Sequence, residues 1–344
     1  MKKYSAMFVK IFIVLIVCLS SVAKSESVRF AVLGDTRGSD ETAVNENIFS
    51  KIVEQVLQFD PPVKFVIVLG DLVSGHDEAG TMDEQFAEWK QIAADWYSSD
   101  TLIGAKVYLV PGNHDQGIFK QLSWIRAFNY LPDNGPTDEK YFTYSFDFGP
   151  VHCSVINTSS PFNSHHLNYD WLADDLSGTD KPIKLVFGHE PAYPAGPHAG
   201  SSLDKDPAAR DKFWKLLADE GVQAYFCGHE HLYDHWIKDN VHQIISGGAG
   251  APGPLSFHYL IIDANESDVT VSVYKVSDGN LKESYKLSQI EGVPNEDRTS
   301  SGSLSWIFNN LPCVWMIIFP LFLLYLNTFI TVRERGNERQ NIKE

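Results

Sequence analysis

The sequence predicts an α/β fold in which two packed, mixed β-sheets are flanked by helices, followed by one C-terminal transmembrane helix. Three observations predict it. Short apolar runs alternate with amphipathic stretches in the first half of the chain, strand-like segments dominate the second half, and one uncharged run of bilayer length lies near the C-terminus. The first two indicate a globular α/β domain, and the third indicates a membrane anchor.

The composition is that of a chain with a buried core and a strongly acidic balance. The 344 residues are 44% hydrophobic, and 28 Lys and Arg residues stand against 44 Asp and Glu residues, which gives a formal net charge of -16. A charge of this sign repels polyanions, so we expect no nucleic-acid partner. The composition does not indicate a protein partner.

Residues 1–23 have the pattern of a secretory signal peptide. Lys2, Lys3 and Lys10 precede the apolar run 11–18, and small residues up to Ala23 suit a cleavage site. An uncleaved signal anchor is the alternative, although the apolar run is short for a membrane span. The pattern therefore predicts export of the following domain.

The first part of that domain reads as alternating strands and helices. Residues 28–33, 64–69 and 106–110 are apolar and rich in β-branched side chains, which is typical of strands covered on both faces. Between them, residues 44–59 and 82–97 carry apolar side chains at helical spacing. This alternation predicts βαβ units.

The second part is richer in strands. A hairpin is predicted over residues 141–148 and 151–157, around a Gly-Pro turn. Further short strands are predicted at 184–187, 224–226, 243–246, 259–263, 269–276 and 281–287. The polar composition of residues 291–305 predicts a linker, so the globular domain is predicted to cover residues 27–290.

A transmembrane helix is predicted over residues 306–332. The run from Leu311 to Val332 contains no charged residue and is long enough for a bilayer. Three arginines lie in the following segment, 333–344, which places this tail in the cytoplasm under the positive-inside rule. A removed GPI signal is the alternative, but such a signal ends in a hydrophobic tail. We therefore expect a single-pass membrane protein with an extracellular, luminal or periplasmic domain.

Two cysteines and two glycosylation sequons fall within the predicted domain. Cys153 and Cys227 each lie in an apolar, strand-like context, which favours two buried thiols, with a single disulfide as the alternative. Asn157 and Asn265 each begin an N-glycosylation sequon, which matters only in a eukaryotic secretory pathway.

Five polar clusters follow directly after predicted strands, and they contain the candidate metal-binding and catalytic residues. They are Asp35, Gly70-Asp71, Gly112-Asn113-His114-Asp115, Gly188-His189 and Gly228-His229-Glu230-His231. Carboxylate, amide and imidazole groups are ligands that Mn, Fe, Zn and Co accept, and open α/β sheets bind ligands at the carboxyl ends of their strands. A lone Gly-Asp pair is usually a turn, but the whole set indicates a two-metal hydrolytic site.

The ordered set of clusters, over about residues 28–254, resembles the calcineurin-like metallophosphoesterase family. Two further motifs, residues 144–149 (Tyr-Ser-Phe-Asp-Phe-Gly) and 246–252 (Ser-Gly-Gly-Ala-Gly-Ala-Pro), are similar to its bacterial and purple-acid-phosphatase-like branches. The resemblance implies a sandwich fold that holds two divalent metal ions. It assigns Asp71 as the bridging ligand, with Asp35 and His231 on the first metal and Asn113, His189 and His229 on the second.

Two positions depart from the family pattern. Many members have a histidine where this chain has Arg37, and the branch with a ligating tyrosine has it where this chain has Ser74. The first metal is therefore expected to have fewer protein ligands and weaker occupancy. Arg37 is either a catalytic clamp on a phosphoryl oxygen or a surface arginine paired with an acid. His198 is a weaker candidate for substrate contact, because its loop follows His189.

The resemblance implies a metal-dependent phosphohydrolase that cleaves a small phosphomonoester or phosphodiester by attack of a metal-bridging hydroxide. His114 is assigned by the same resemblance as the general acid that protonates the leaving oxygen. The alternative is a catalytically weak, membrane-tethered ectodomain that binds a ligand on the same fold. The loops that would choose the substrate carry no recognisable specificity pattern.

Overall fold

A computed structural model of the chain describes residues 27–98, 106–253 and 256–289. The predicted signal peptide, linker, transmembrane helix and cytoplasmic tail lie outside these residues, so they stay predictions. Within the described ranges, every helix is too short or too polar to cross a bilayer.

The described residues contain twelve strands arranged as two six-stranded sheets. In chain order they are β1 (Ser27–Leu33), β2 (Phe65–Val68), β3 (Lys106–Leu109), β4 (Tyr144–Phe148), β5 (Val151–Val155), β6 (Ile183–Phe187), β7 (Ala224–Cys227), β8 (Tyr233–Lys238), β9 (Val241–Ser246), β10 (His258–Asn265), β11 (Val269–Lys275) and β12 (Leu281–Lys286). All the predicted strands are present, with ends shifted by one to three residues.

Both sheets are mixed, as predicted. The first has the order β12-β11-β10-β1-β2-β3, in which β1, β2 and β3 are parallel and the other neighbours are antiparallel. The second has the order β4-β5-β6-β7-β9-β8, with a parallel centre and an antiparallel strand at each edge. The parallel strands matter for function because their carboxyl ends share one edge of each sheet.

Six α-helices flank the sheets in the described part of the chain. They are α1 (Glu46–Val56), α2 (Met82–Ile92), α3 (Ala94–Tyr97), α4 (Gln121–Phe128), α5 (Tyr169–Gly178) and α6 (Pro207–Asp219). Thr81 and Glu84 form a capping box at the start of α2, and Asp206 caps α6 by accepting two backbone N–H groups. The helix predicted over 82–97 is divided in two at Ala93.

Alternating side chains of the second sheet build two cores. In β6, Leu185 and Phe187 face the space between the sheets, whereas Val186 packs with residues of α5 and α6 on the outer face. Across the inner space, the ring centroids of Phe65 and Phe146 are 5.5 Å apart. This packing holds the two sheets face to face, with their strand ends aligned at the site.

Cys153 and Cys227 are buried thiols, as the sequence favoured. They lie on opposite faces of the second sheet, since Cys153 belongs to the inner core and Cys227 to the outer one. Asn157 is only 3% exposed, and its amide is paired with that of Gln116. Its sequon is therefore closed to glycosylation in the folded domain, whereas Asn265 lies at the turn between β10 and β11.

His152 in β5 joins the edge of the second sheet to α5. Its Nδ1 lies 2.8 Å from an oxygen of Asp147, and its Nε2 lies 3.0 Å from an oxygen of Asp175. Burial opposes the charged imidazole, but the carboxylates of Asp175 and Asp147 outweigh burial and raise the pKa of His152 above its ordinary value. The charged form is therefore more favourable in the folded state than in the unfolded chain.

We expect the charge on His152 to stabilise the fold fully below its unfolded pKa of about 6.5, and this contribution to disappear as the pH rises through the raised folded pKa. Thermal unfolding of the wild type and of His152→Gln, from about pH 5.5 to 9, measures it. The difference in Tm should shrink as the pH rises. His166→Gln is the control, because its imidazole is 38% exposed and its pairing with Asp206 at 3.5 Å is open to solvent, so its effect should depend less on pH. A His152→Gln effect that is the same at every pH would contradict the linkage.

Candidate metal centre

The five polar clusters lie at the carboxyl ends of β1, β2 and β3 in the first sheet and of β6 and β7 in the second. Three of their residues, Asp35, Asp71 and His229, have positive φ angles of 63°, 51° and 68°. Non-glycine residues rarely adopt this conformation, and where it occurs it marks functional sites held by the surrounding structure. The loops thus aim these side chains at a common point.

The second predicted ligand set is brought together around His189. Its Nδ1 donates a hydrogen bond to the carbonyl of Leu69 at 2.7 Å, so the Nε2 of the neutral imidazole carries a lone pair. This Nε2 lies 3.0 Å from Asn113 Oδ1 and 3.3 Å from Asp71 Oδ1. Three electron-pair donors that face one another without a proton between them favour a cation in their midst.

His229 lies next to His189. Its ring centroid lies 5.0 Å from that of His189, and its Nε2 is buried with no hydrogen-bond partner among the described residues. A buried polar atom without a partner is costly, so it indicates a missing ligand such as an ion. Asp71 Oδ1, Asn113 Oδ1 and His189 Nε2 therefore fit a divalent metal, and His229 lies beside them as a candidate fourth ligand.

The first predicted set is Asp35, Asp71 and His231, whose ligand atoms all lie within 4.8 Å of one another. His231 Nδ1 donates to the carbonyl of Pro252 at 2.8 Å, which leaves its Nε2 free to face Asp35 Oδ1 at 3.6 Å. That Oδ1 is buried and has no hydrogen-bond partner in the described ranges. These three donors also fit a metal, and among the described histidines, cysteines and carboxylates they are the one group of three whose ligand atoms lie this close together.

Burial sets the charge states of the predicted ligands. Burial, reinforced by the charge of Arg37, lowers the pKa of His231 to about 4, and burial lowers the pKa of His229 well below its ordinary value. Both imidazoles are neutral near pH 7 and can donate a lone pair. Burial and the charge of Asp71 raise the pKa of Asp35, so a cation is needed to keep both carboxylates ionised together.

His114 lies beside the ligands without joining either set. Its Nδ1 donates to the backbone carbonyl of Ser74 at 2.5 Å, and its Nε2 lies 3.9 Å from Asp71 Oδ2. The side chain is 22% exposed, so substrate can reach it. Ser74, at the tyrosine position of the related branch, therefore acts through its backbone and orients the imidazole.

Arg37 lies within the site. Its side chain is only 14% exposed, and its Nε is 3.6 Å from Asp71 Oδ2. Its Nη1 donates to the carbonyl of Gly38 at 3.2 Å, which leaves other N–H groups of the guanidinium for a ligand. Arg37 is thus largely buried and not on the surface, but it does pair with an acid, as the alternative expected, and that acid is Asp71 of the site.

Two buried carboxylates that the sequence did not assign support the ligands. Asp115 accepts the backbone N–H groups of Leu72, Val73 and Gly112 at 2.9 to 3.3 Å, which ties together the loops after β2 and β3. In the sequence, its position next to His114 was the observation that could have assigned Asp115 to the site.

Glu230 supports the histidine pair that surrounds it in the chain. It is fully buried and lies 3.2 Å from His198 Nδ1, and the His198 ring lies 4.2 Å from that of His229. His198 is therefore part of the site. The sequence showed Glu230 between two histidines but not its distant partners.

Gly112 is required where the chain passes Asp71. A Cβ on Gly112 would overlap the backbone nitrogen and Oδ1 of Asp71. We expect Gly112→Ala to displace that carboxylate and to weaken retention of Mn²⁺ on dialysis at least about tenfold. Gly178→Ala is the control, since a Cβ there meets open space at the end of α5. Unchanged metal retention in Gly112→Ala would contradict this packing.

The chain is similar to known phosphatases. The family described as calcineurin-like phosphoesterase matches residues 28–233. Purple acid phosphatase 21 of Arabidopsis thaliana is 26% identical over 205 residues, which cover 51% of this chain and 46% of that protein. The serine/threonine-protein phosphatase CPPED1 of Danio rerio is 24% identical over 227 residues, which cover 62% and 68% of the two chains.

A solved structure shares the fold. A purple acid phosphatase from yellow lupin (Lupinus luteus) aligns with a TM-score of 0.60 and 16% identity, over 76% of this chain and 54% of that one. The chain thus spans about half the length of the plant phosphatases compared here. Because the family match covers more than half of the sequence, the chain belongs to the calcineurin-like phosphoesterase family, with purple-acid-phosphatase-like relatives.

Proposed function

We propose that this protein is a dinuclear metal-dependent phosphoesterase that hydrolyses a small phosphomonoester or phosphodiester. One observation carries the proposal. His189 Nε2 lies 3.0 Å from Asn113 Oδ1 and 3.3 Å from Asp71 Oδ1, while Nδ1 of the same ring donates its proton to the carbonyl of Leu69. Phosphatases among the relatives support the reaction class.

The residues of the site have separate roles in phosphoester hydrolysis. When bound, divalent ions acidify the attacking water and offset the negative charge on the phosphoryl oxygens. Arg37 binds a phosphoryl oxygen through its guanidinium N–H groups. In its charged form His114 has a proton on Nε2, which the leaving oxygen takes as its bond to phosphorus breaks, while Nδ1 donates to the carbonyl of Ser74. Burial lowers the pKa of His114, so this charged form is favoured at acidic pH. No covalent enzyme intermediate is needed.

The donor atoms limit which metal ions can bind but do not identify a single one. Mixed oxygen and nitrogen ligands accept Mn, Fe, Zn or Co. Since Ser74 stands where the related branch has its ligating tyrosine, we expect no tyrosinate-to-iron colour even with iron bound.

We also propose that the domain faces outward from a membrane, tethered by the predicted helix at 306–332. The direction of the first sheet supports this arrangement. Because β10, β11 and β12 alternate in direction beside β1, the end of β12 and the start of β1 lie at the same edge of the sheet. That edge is opposite the candidate metal ligands, so the described chain enters β1 and leaves β12 at the side of the sheet away from the site.

The second candidate function is a catalytically weak, membrane-tethered binding ectodomain. The first ligand set favours this function, because it has only three donors and the positively charged Arg37 lies beside one of them, Asp71. Turnover of p-nitrophenyl phosphate and bis(p-nitrophenyl) phosphate by the full chain, loaded in turn with Mn, Zn, Fe or Co, separates the two. The proposed enzyme hydrolyses at least one ester and loses this activity on chelation. Protein that retains metal but cleaves neither ester would favour the binding ectodomain.

A further inference from the structure

We propose that the protein acts on phosphoesters of apolar alcohols, and that Ile118, Phe119 and Leu122 bind the carbon chain of the leaving group. We call these three side chains the apolar rim. The inference rests on the proposed function, because it assigns a substrate class to the same site.

The apolar rim is exposed to solvent. Ile118 is 64% exposed, Phe119 is 91% exposed and Leu122 is 65% exposed. They are half of the six large hydrophobic residues that are exposed in the described part of the chain, although they are neighbours in the sequence. Single exposed apolar side chains are ordinary on a protein, whereas a group of them marks a surface that binds a ligand or a partner.

The apolar rim is not needed for the packing of α4. Trp124 and Phe128, further along this helix, are fully buried, so α4 already presents an apolar face to the core. The exposed apolar side chains are confined to the turn before α4 and to its first turn. Just before them, Asp115 and Gln116 are buried. The rim therefore begins where the chain leaves the site.

Lys120 fixes the apolar rim beside His114. Its Nζ donates to the carbonyl of Gly75 at 2.7 Å, and the carbonyl of the preceding residue, Ser74, accepts from His114 Nδ1 at 2.5 Å. A Cβ on Gly75 would lie 2.2 Å from the carbonyl oxygen of His114 and 3.1 Å from Lys120 Nζ, so both residues lie against this glycine. Since Phe119 directly precedes Lys120, the rim lies on the His114 side of the site.

This position determines which part of the substrate the apolar rim contacts. As the oxygen of water bonds to phosphorus, the bond from phosphorus to the alcohol oxygen breaks, and that oxygen takes the proton from His114. The alcohol therefore lies on the His114 side, and the phosphoryl group lies on the side of the candidate metal ligands. An apolar alcohol that leaves water for the rim binds more tightly with each methylene it buries.

The size of the apolar rim favours a small ligand over a protein partner. A stable protein interface buries about 800 Å² on each partner, whereas one large aromatic side chain buries about 150–250 Å². Three side chains, of which only Phe119 is aromatic, fall short of such an interface. They are sufficient for the carbon chain of a small alcohol.

The test measures binding and turnover for ligands that differ only in chain length. The full chain, loaded with Mn²⁺, is titrated by calorimetry with ethyl-, butyl- and hexylphosphonate, whose bond from phosphorus to carbon is not hydrolysed. It is also assayed with the matching alkyl phosphates, whose alcohols leave equally poorly. We expect the Kd to fall and kcat/KM to rise by about two- to fourfold for each added methylene.

Substitutions in the apolar rim should weaken this dependence. Phe119→Gln and Leu122→Gln should each lower the ratio of kcat/KM for hexyl phosphate to that for ethyl phosphate by at least about fivefold. Phe119→Leu keeps an apolar side chain and should retain most of the ratio. Leu281→Gln is the matched control, because Leu281 is 52% exposed at the start of β12, at the far edge of the first sheet from β3. It should show the wild-type ratio.

The outcomes distinguish the role of the apolar rim from the proposed reaction. Kd and kcat/KM values that do not change with chain length, in a wild type that cleaves the esters, would overturn the rim alone and assign it to another contact such as a bilayer. Phe119→Gln and Leu122→Gln proteins with the wild-type ratio would also overturn it. Phosphonates that bind more tightly with chain length, without turnover of any ester, would support the rim and refute the hydrolase. A chain that neither binds the phosphonates nor cleaves the esters would refute both.

Discussion

Asp71→Asn should reduce phosphoester hydrolysis by about 1,000-fold or more and should release metal from the protein. Asp71 is the residue that both ligand sets share. Its Oδ1 faces His189 at 3.3 Å, and its Oδ2 lies 3.6 Å from Arg37 Nε and 3.9 Å from His114 Nε2. An amide in its place keeps the shape but removes the negative charge that holds these groups together.

The measurement is kcat/KM with p-nitrophenyl phosphate, together with metal content by elemental analysis. Asp263→Asn is the matched control, because Asp263 pairs with Arg29 on the first sheet and takes no part in the site. The control should keep both activity and metal. An Asp71→Asn protein with wild-type activity would remove Asp71 from its bridging role.

His114→Ala should slow the hydrolysis of alkyl phosphates by about 100- to 10,000-fold while it leaves nitrophenyl esters far less affected. An alkoxide leaves poorly unless it is protonated, whereas nitrophenolate leaves without help. The geometry supports this role, since Ser74 fixes Nδ1 and leaves Nε2 directed at the ligands. Metal content should not change, because His114 belongs to neither ligand set.

His76→Ala provides the comparison for His114→Ala. The His76 ring lies 5.6 Å from that of His114 but is more exposed and pairs with Asp40 outside the ligand sets. We expect it to reduce both classes of ester to the same small extent. If His114→Ala also slows nitrophenyl and alkyl esters equally, His114 is not the general acid.

Much of the fold could be predicted because its central strands are covered on both faces. β2 is a continuous apolar run and is fully buried, so its sequence alone distinguishes it from a loop. The edge strand β8 was missed, since it carries Asp234 and His235 and its first residues are only partly buried. Helices α4, α5 and α6 were missed as well, because they lie in stretches that were read as loops or left unassigned.

The ligands could be predicted for a similar reason, since each one directly follows an apolar strand. The groups that orient them could not, because their partners are distant in sequence. The carbonyl of Ser74 holds His114, forty residues further along the chain, and Glu230 holds His198. Backbone carbonyls and buried carboxylates leave no local pattern, and only the packing of the two sheets brings them to the site.

Diffraction from crystals of the protein soaked in Mn²⁺, with data collected for anomalous scattering from manganese, tests the central claim most directly. We expect one strong anomalous peak among Asp71, Asn113, His189 and His229 and a second peak among Asp35, Asp71 and His231. Anomalous density found elsewhere on the protein, with none among these side chains, would contradict it.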